Sequence, residues 1–312
     1  MKRFYRPVGF AIGLIATAAF AWYASRALQG QDLSRFASAR SISALVIGGL
    51  CYATVIPVSA AAWRWLLLDL RSPRSWRDLA EIMAITQLAK YIPGNVGFHL
   101  GRAGMAVARG VSTRAVVSSM LFETVLAVAA ALAVGVAGIA LSEAGTSVVR
   151  SNSDLRGGLT TAAVLLAVLA VLAIGFRLFL GSLRQRFMAH HDWPSVPTLV
   201  RAFAAYSTNY IFIGIGIWLM AKLLLPDENH DPGLLAASFA LAWVAGFFTP
   251  GAPAGLGIRE ALMLVVLRAA YASPDALVLV VAMRLATVLG DILIFFVGYM
   301  SMASSRSRTS TV

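Results

Sequence analysis

The chain is poor in the residues on which most soluble functions depend. It has one cysteine, Cys51, set in an apolar run, so neither a disulfide framework nor a cysteine-based metal site is available. The four histidines form no ligand pattern: His190 and His191 fall in a basic loop, and His99 and His230 stand apart. No P-loop, metal motif or nucleophile elbow appears, and no cofactor is expected. Charged residues make up 13% of the chain, against about 25% in ordinary globular domains. Acidic side chains are the scarcest, with 14 Asp and Glu against 26 Lys and Arg and a net charge of +12. That excess raises nucleic acid as a partner. The arginines, however, flank apolar runs and do not cluster with aromatics on polar segments, so membrane topology accounts for them and no nucleic acid is expected.

What the chain has in abundance is apolar length: 59% of its residues are hydrophobic. Runs fit to cross a bilayer, which takes about 20 helical residues, lie at 7–28, 41–68, 115–142, 158–180, 199–225 and 275–303. The first follows a basic start and has small residues near Ala19 and Ala21, which imitates a cleavable signal peptide. Because the rest is polytopic, it is expected to be retained as a first helix.

Two more apolar regions, 79–107 and 233–271, are interrupted near their middles by proline and glycine. Proline costs about 3 kcal/mol inside a helix and glycine about 1, so such clusters predict true breaks. The fold class expected is all-α integral membrane, with six full spans and two re-entrant segments. Two halves are expected, 1–142 and 143–303, followed by a cytoplasmic tail, 304–312. Short-loop arginines then gather on one side with both termini, which predicts termini in the cytoplasm. Arg26, Arg35 and Arg40 run against that count.

The breaks are alike. KYIPGNVGFHLGR (90–102) and FFTPGAPAGLGIRE (247–260) each give an aromatic residue, one further residue, Pro-Gly, more glycines and then arginine. Three spans separate them, so they enter from opposite faces, the mark of an inverted repeat with a site near mid-membrane. Non-helical backbone at that depth must be buried in protein or line a wet cavity. The freed amides of a restarting helix favour an anion. The residues expected to make the breaks are Pro93, Gly94 and Gly97, then Pro250, Gly251, Gly255 and Gly257. The candidate binding residues are Arg102, Glu123, Arg259, Glu260, Arg284 and Asp291.

Charges inside spans need partners or water. Arg284 and Asp291 are seven apart and share a helix face, which could meet Glu260 or Glu123. Arg64, beside Trp63 and Trp65, reads as an interfacial anchor. Lys90 reads equally well as a snorkelling surface lysine. An enzymatic role would require the fold to bring Glu123, Glu260 and Asp291 together.

At these breaks the chain resembles the membrane domain of the lysylphosphatidylglycerol synthetase/flippase family, in its stand-alone form. The residues that carry the resemblance are Gln87 through Gly94 (QLAKYIPG), Gly97, Gly101, Arg102 and Glu123. They continue with Thr249-Pro250-Gly251, then Gly255 through Ala261 (GLGIREA), and Arg284. PGAPAGLG is longer than the family's usual Pro-Gly-Gly-Leu-Gly. The resemblance implies a bacterial inner-membrane protein that moves a phospholipid or lipid-linked precursor between leaflets, without lysyl transfer of its own. Arg102, Arg259 and Arg284 would hold the lipid phosphate, balanced by Glu123 and Glu260. The alternative is a non-catalytic membrane subunit that scaffolds a separate glycosyltransferase or envelope-lipid synthase. A homodimer is compatible with either.

Overall fold

The computed structural model describes residues 38–91, 97–143, 193–249 and 253–309, and every regular element in them is helical. Four helical stretches are long and apolar enough to cross a membrane: Ala39–Asp69, Thr113–Leu141, Val196–Leu224 and Ser273–Ser304. They coincide with four of the expected runs; the runs 7–28 and 158–180 lie outside the described residues.

The first of these stretches is two helices, α1 (Ala39–Ala53) and α2 (Val55–Asp69). Pro57 has no N–H to return to the carbonyl four residues back, and Thr54 turns its hydroxyl to the Cys51 carbonyl at 2.7 Å. The elements that follow are α3 (Trp76–Thr86), α4 (Gly97–Ala108), α5 (Thr113–Leu141), α6 (Val196–Leu224), α7 (Pro232–Phe248), α8 (Ile258–Leu267) and α9 (Ser273–Thr309). Local chemistry sets the starts. Ser75, Ser112 and Asp231 each accept the N–H three residues on, at 3.0, 3.2 and 3.0 Å, and Pro232 occupies the first turn of α7. α9 runs on through Thr309, so the expected tail begins as helix.

Helix contacts rest on small residues, as packing in a lipid solvent requires. A Cβ on Gly138 of α5 would lie 2.4 Å from the Gly233 carbonyl of α7, so the two backbones touch. One on Gly290 of α9 would lie 2.9 Å from the Gly49 carbonyl of α1. α1 packs on α6 and α9; α7 packs on α5, α6 and α8.

Both interrupted regions are broken. α3 tightens into a 3-10 turn at Gln87–Tyr91, and helix resumes at Gly97. α7 stops at Phe248, Thr249 is extended, a 3-10 turn occupies Pro253–Gly255, and α8 begins at Ile258. Pro93, Gly94, Pro250 and Gly251 lie outside the described residues. Within each region the two helices pack on each other, α3 on α4 and α7 on α8.

Polar residues tie the ends. Arg109 reaches Asp78 and Glu81, both at 3.3 Å, and Ser301 of α9 donates to Glu81 at 2.6 Å. In the loop before α9, the Tyr271 hydroxyl and a His230 ring nitrogen lie 3.0 Å apart. Burial, with the Asp231 and Glu228 carboxylates, pushes the Tyr271 phenol up to about 12, so it stays protonated at neutral pH.

Candidate functional site

The first break is gripped from α9. Asp291 is 0% exposed and accepts three donors from the 3-10 turn: Gln87 Nε2 at 2.9 Å, Lys90 Nζ at 2.7 Å and the Tyr91 hydroxyl at 2.6 Å. Lys90 also donates to the Tyr52 hydroxyl at 2.9 Å. A carboxylate in this setting needs the full set of donors, since a buried charge is tolerated only when paired and hydrogen-bonded. Lys90 is therefore no snorkelling surface lysine. Its side chain is 16% exposed, and desolvation is offset by an ion pair.

After that break, Arg102 in the second turn of α4 forms a two-pronged pair with Glu123 of α5, with Nη1 2.7 Å from Oε1 and Nη2 bonded to Oε2. Its guanidinium lies 3.8 Å over the ring of Trp63, and the Trp63 indole donates to Ser119 at 2.9 Å. Trp63 is fully buried, so it is a platform for Arg102 and no part of an interfacial anchor.

The second break is built around Arg259, the second residue of α8. Its aliphatic stem lies in a slot between two glycines. A Cβ on Gly246 would meet Arg259 Cγ at 2.4 Å, and one on Gly255 would meet Cδ at 2.7 Å. The turn that makes the slot is left-handed at Ala254 (φ 49), Gly255 (φ 68) and Gly257 (φ 82), a region that only glycine enters without cost. It brings the Ala254 carbonyl within 3.5 Å of Arg259 Nη1. The guanidinium also faces the Phe239 ring at 5.0 Å. Among the described residues no carboxylate forms an ion pair with Arg259, whereas Arg102 pairs with Glu123 and Arg284 with Glu260.

Glu260 is occupied on both oxygens. Oε2 accepts the Gly257 N–H at 2.6 Å, closing the start of α8, and Oε1 lies 3.2 Å from Arg284 of α9. One face of α9 thus holds both breaks, the second through Arg284 and the first through Asp291.

Between the breaks lies a cavity of about 200 Å³. Lys90, His99 and Glu123 reach it from the first region; Gly246, Ala254, Gly255 and Arg259 reach it from the second. Tyr52 and Ser59 line it from α1 and α2, and Tyr206, Asn209 and Tyr210 from α6. Phe239, Trp243 and Phe247 make an aromatic wall on α7, with Trp243 and Phe247 stacked at 5.4 Å. A recess of about 20 Å³ joins Arg259, Glu260 and Arg284. Of the six candidate binding residues, Glu123 and Arg259 line the larger cavity, Glu260 and Arg284 the recess, and Arg102 and Asp291 stand behind as partners of lining residues. Glu123, Glu260 and Asp291 do not meet: each has its own cation. Among the described residues no group of three potential ligands could hold a metal.

Sequence reasoning passed over Tyr206 and Asn209. The Asn209 amide donates to Ser59 at 3.0 Å, while its Oδ1 and the Tyr206 hydroxyl are buried with no partner. The available signal was an asparagine in an apolar 29-residue helix, a position that is costly unless used.

A family model described as the lysylphosphatidylglycerol synthase TM region matches residues 9–294. No curated protein matches the chain significantly.

Proposed function

The chain belongs to the family of the lysylphosphatidylglycerol synthase TM region, and from that membership we propose that it is a lipid translocase, which takes an anionic head group into the cavity between its two broken regions. The observation that carries this reading is Arg259. It is a permanent cation in a membrane-embedded cavity, carried at the start of a helix and without a carboxylate partner among the described residues. An unpaired charge there is costly, and a phosphate would offset it. Lys90 and Glu123 at the wall already have counter-ions, so the site carries one net positive charge for its guest.

On this reading the protein lies in a bacterial inner membrane with both termini cytoplasmic, and its halves, 1–142 and 143–303, are an inverted repeat with one break entering from each face. It does no chemistry on the lipid. The aromatic wall shields the head group from hydrocarbon, and the paired carboxylates keep the remaining arginines from trapping it.

Reconstitution into vesicles with a fluorescent anionic phospholipid tests the proposal. The protein is expected to speed leaflet exchange, and Arg259→Gln to cut the added rate about tenfold or more, the scale of one lost charge-assisted contact. Equal exchange with and without protein would refute it and favour a scaffold for a glycosyltransferase or lipid synthase.

A further inference from the structure

We infer that the anionic guest enters this cavity together with one proton, which Asp291 takes up as Lys90 turns from that carboxylate to the guest. The inference rests on the translocase reading and adds a coupled proton to it.

Lys90 faces two ways. On one side its ammonium bonds Asp291 and Tyr52. On the other it lines the same cavity as Arg259, which is close enough to repel it. A phosphate between the two cations relieves both. One charged oxygen of a phosphodiester bonds Arg259, and the other is open to an ammonium at the end of a flexible four-carbon stem. Asp291 cannot follow, since it is 0% exposed and lies behind the wall. Once Lys90 has turned, the bonded partners of that carboxylate are neutral, Gln87 and Tyr91. A buried carboxylate that has lost its cation is driven to the protonated form. The proton comes from cavity water and adds to the oxygen that Lys90 leaves; no other covalent bond forms or breaks. When the guest departs, Lys90 returns and the proton goes back to water. Guest and proton carry opposite charges, so the site has the same net charge loaded and empty. The other charges near the pair are held in place. Arg284 of α9, 5.8 Å from the Tyr91 ring, pairs with Glu260 of α8, and Glu123 of α5 pairs with Arg102 of α4. Tyr52 of α1 and Tyr210 of α6 present phenols, and His99 of α4 is the histidine on the cavity wall.

Binding of a fluorescent short-chain phosphatidylglycerol to the full chain in detergent tests this, measured from about pH 7 to about pH 8.5, where an ordinary histidine is largely neutral. The loaded state holds one more proton, so affinity should rise as pH falls, by about tenfold per pH unit for a full proton. His99→Gln should keep that slope. Lys90→Arg, a cation that does not lose its proton, should keep it as well. Adding Asp291→Asn to Lys90→Arg should flatten it. The pair Lys90→Met with Asp291→Asn, which strands no charge, gives the same reading should the arginine pair fold poorly. An affinity of the wild type that ignores pH, a slope lost in His99→Gln or Lys90→Arg, or a slope that survives Asp291→Asn in both pairs overturns the inference and leaves the translocase reading standing. Failure of the wild type to bind phosphatidylglycerol at any pH overturns both.

Discussion

Removing either end of the Lys90–Asp291 pair should cost more stability than removing both. Asp291 is fully buried and Lys90 is 16% exposed, and they meet at 2.7 Å. Asp291→Leu leaves an ammonium facing only Tyr52 and the rings of Tyr52 and Tyr91. Lys90→Met leaves a carboxylate with two neutral donors, Gln87 and Tyr91. An uncompensated buried charge costs about 3–5 kcal/mol, whereas replacing a whole buried pair by apolar groups is often close to neutral. In the double variant Gln87 and Tyr91 lose an acceptor, about 1–3 kcal/mol. Each single variant should therefore lose roughly 6–10 °C in thermal unfolding, at about 2 °C per kcal/mol for a chain of this size. The double variant should recover about half of that. The assay is tryptophan fluorescence on all four proteins in one detergent at one scan rate. Losses that simply add in the double variant would refute the argument, since independent sites add and a shared charge pair does not.

Two further outcomes follow from the site's geometry. Gly255→Ala should lower exchange and stability together, with about 1–2 kcal/mol from the left-handed backbone alone and more from the collision with Arg259. Ala254→Gly, at φ 49, should hold or raise the unfolding temperature. Arg102→Lys keeps the charge but loses the fork on Glu123 and the stack on Trp63. It should cost about 1–3 kcal/mol in the same thermal assay, and an unchanged midpoint would show that stack and fork to be idle.

Apolar run length sufficed to find four spans, because a bilayer imposes one length scale on every crossing. The breaks were legible for the same local reason: Pro-Gly clusters act on their own backbone. Glu260 at the third position of α8 is also a local matter, a cap readable from Gly257 onward. Partner choice was not legible. Arg284 and Asp291 could be put on one face from their spacing, but that Asp291 meets the Lys90 turn depends on how α9 lies across α3. The surface alternative for Lys90 fails on that account, and the burial of Trp63 depends on Ser119 of α5 and Arg102 of α4, which are distant in sequence. Asn209 and Tyr206 escaped because the run 206–210 (YSTNY) puts polar groups on every side of α6, so no stripe marks which side faces the cavity.

Arg284 and Asp291 stand two turns apart on α9, about 10 Å along its axis. A single stiff rod therefore clasps both gaps at once. Sliding or rolling that rod enough to release Glu260 also drags on Gln87, Lys90 and Tyr91. The two broken regions therefore hang from one beam, and a displacement of that beam strains the polar bonds at both.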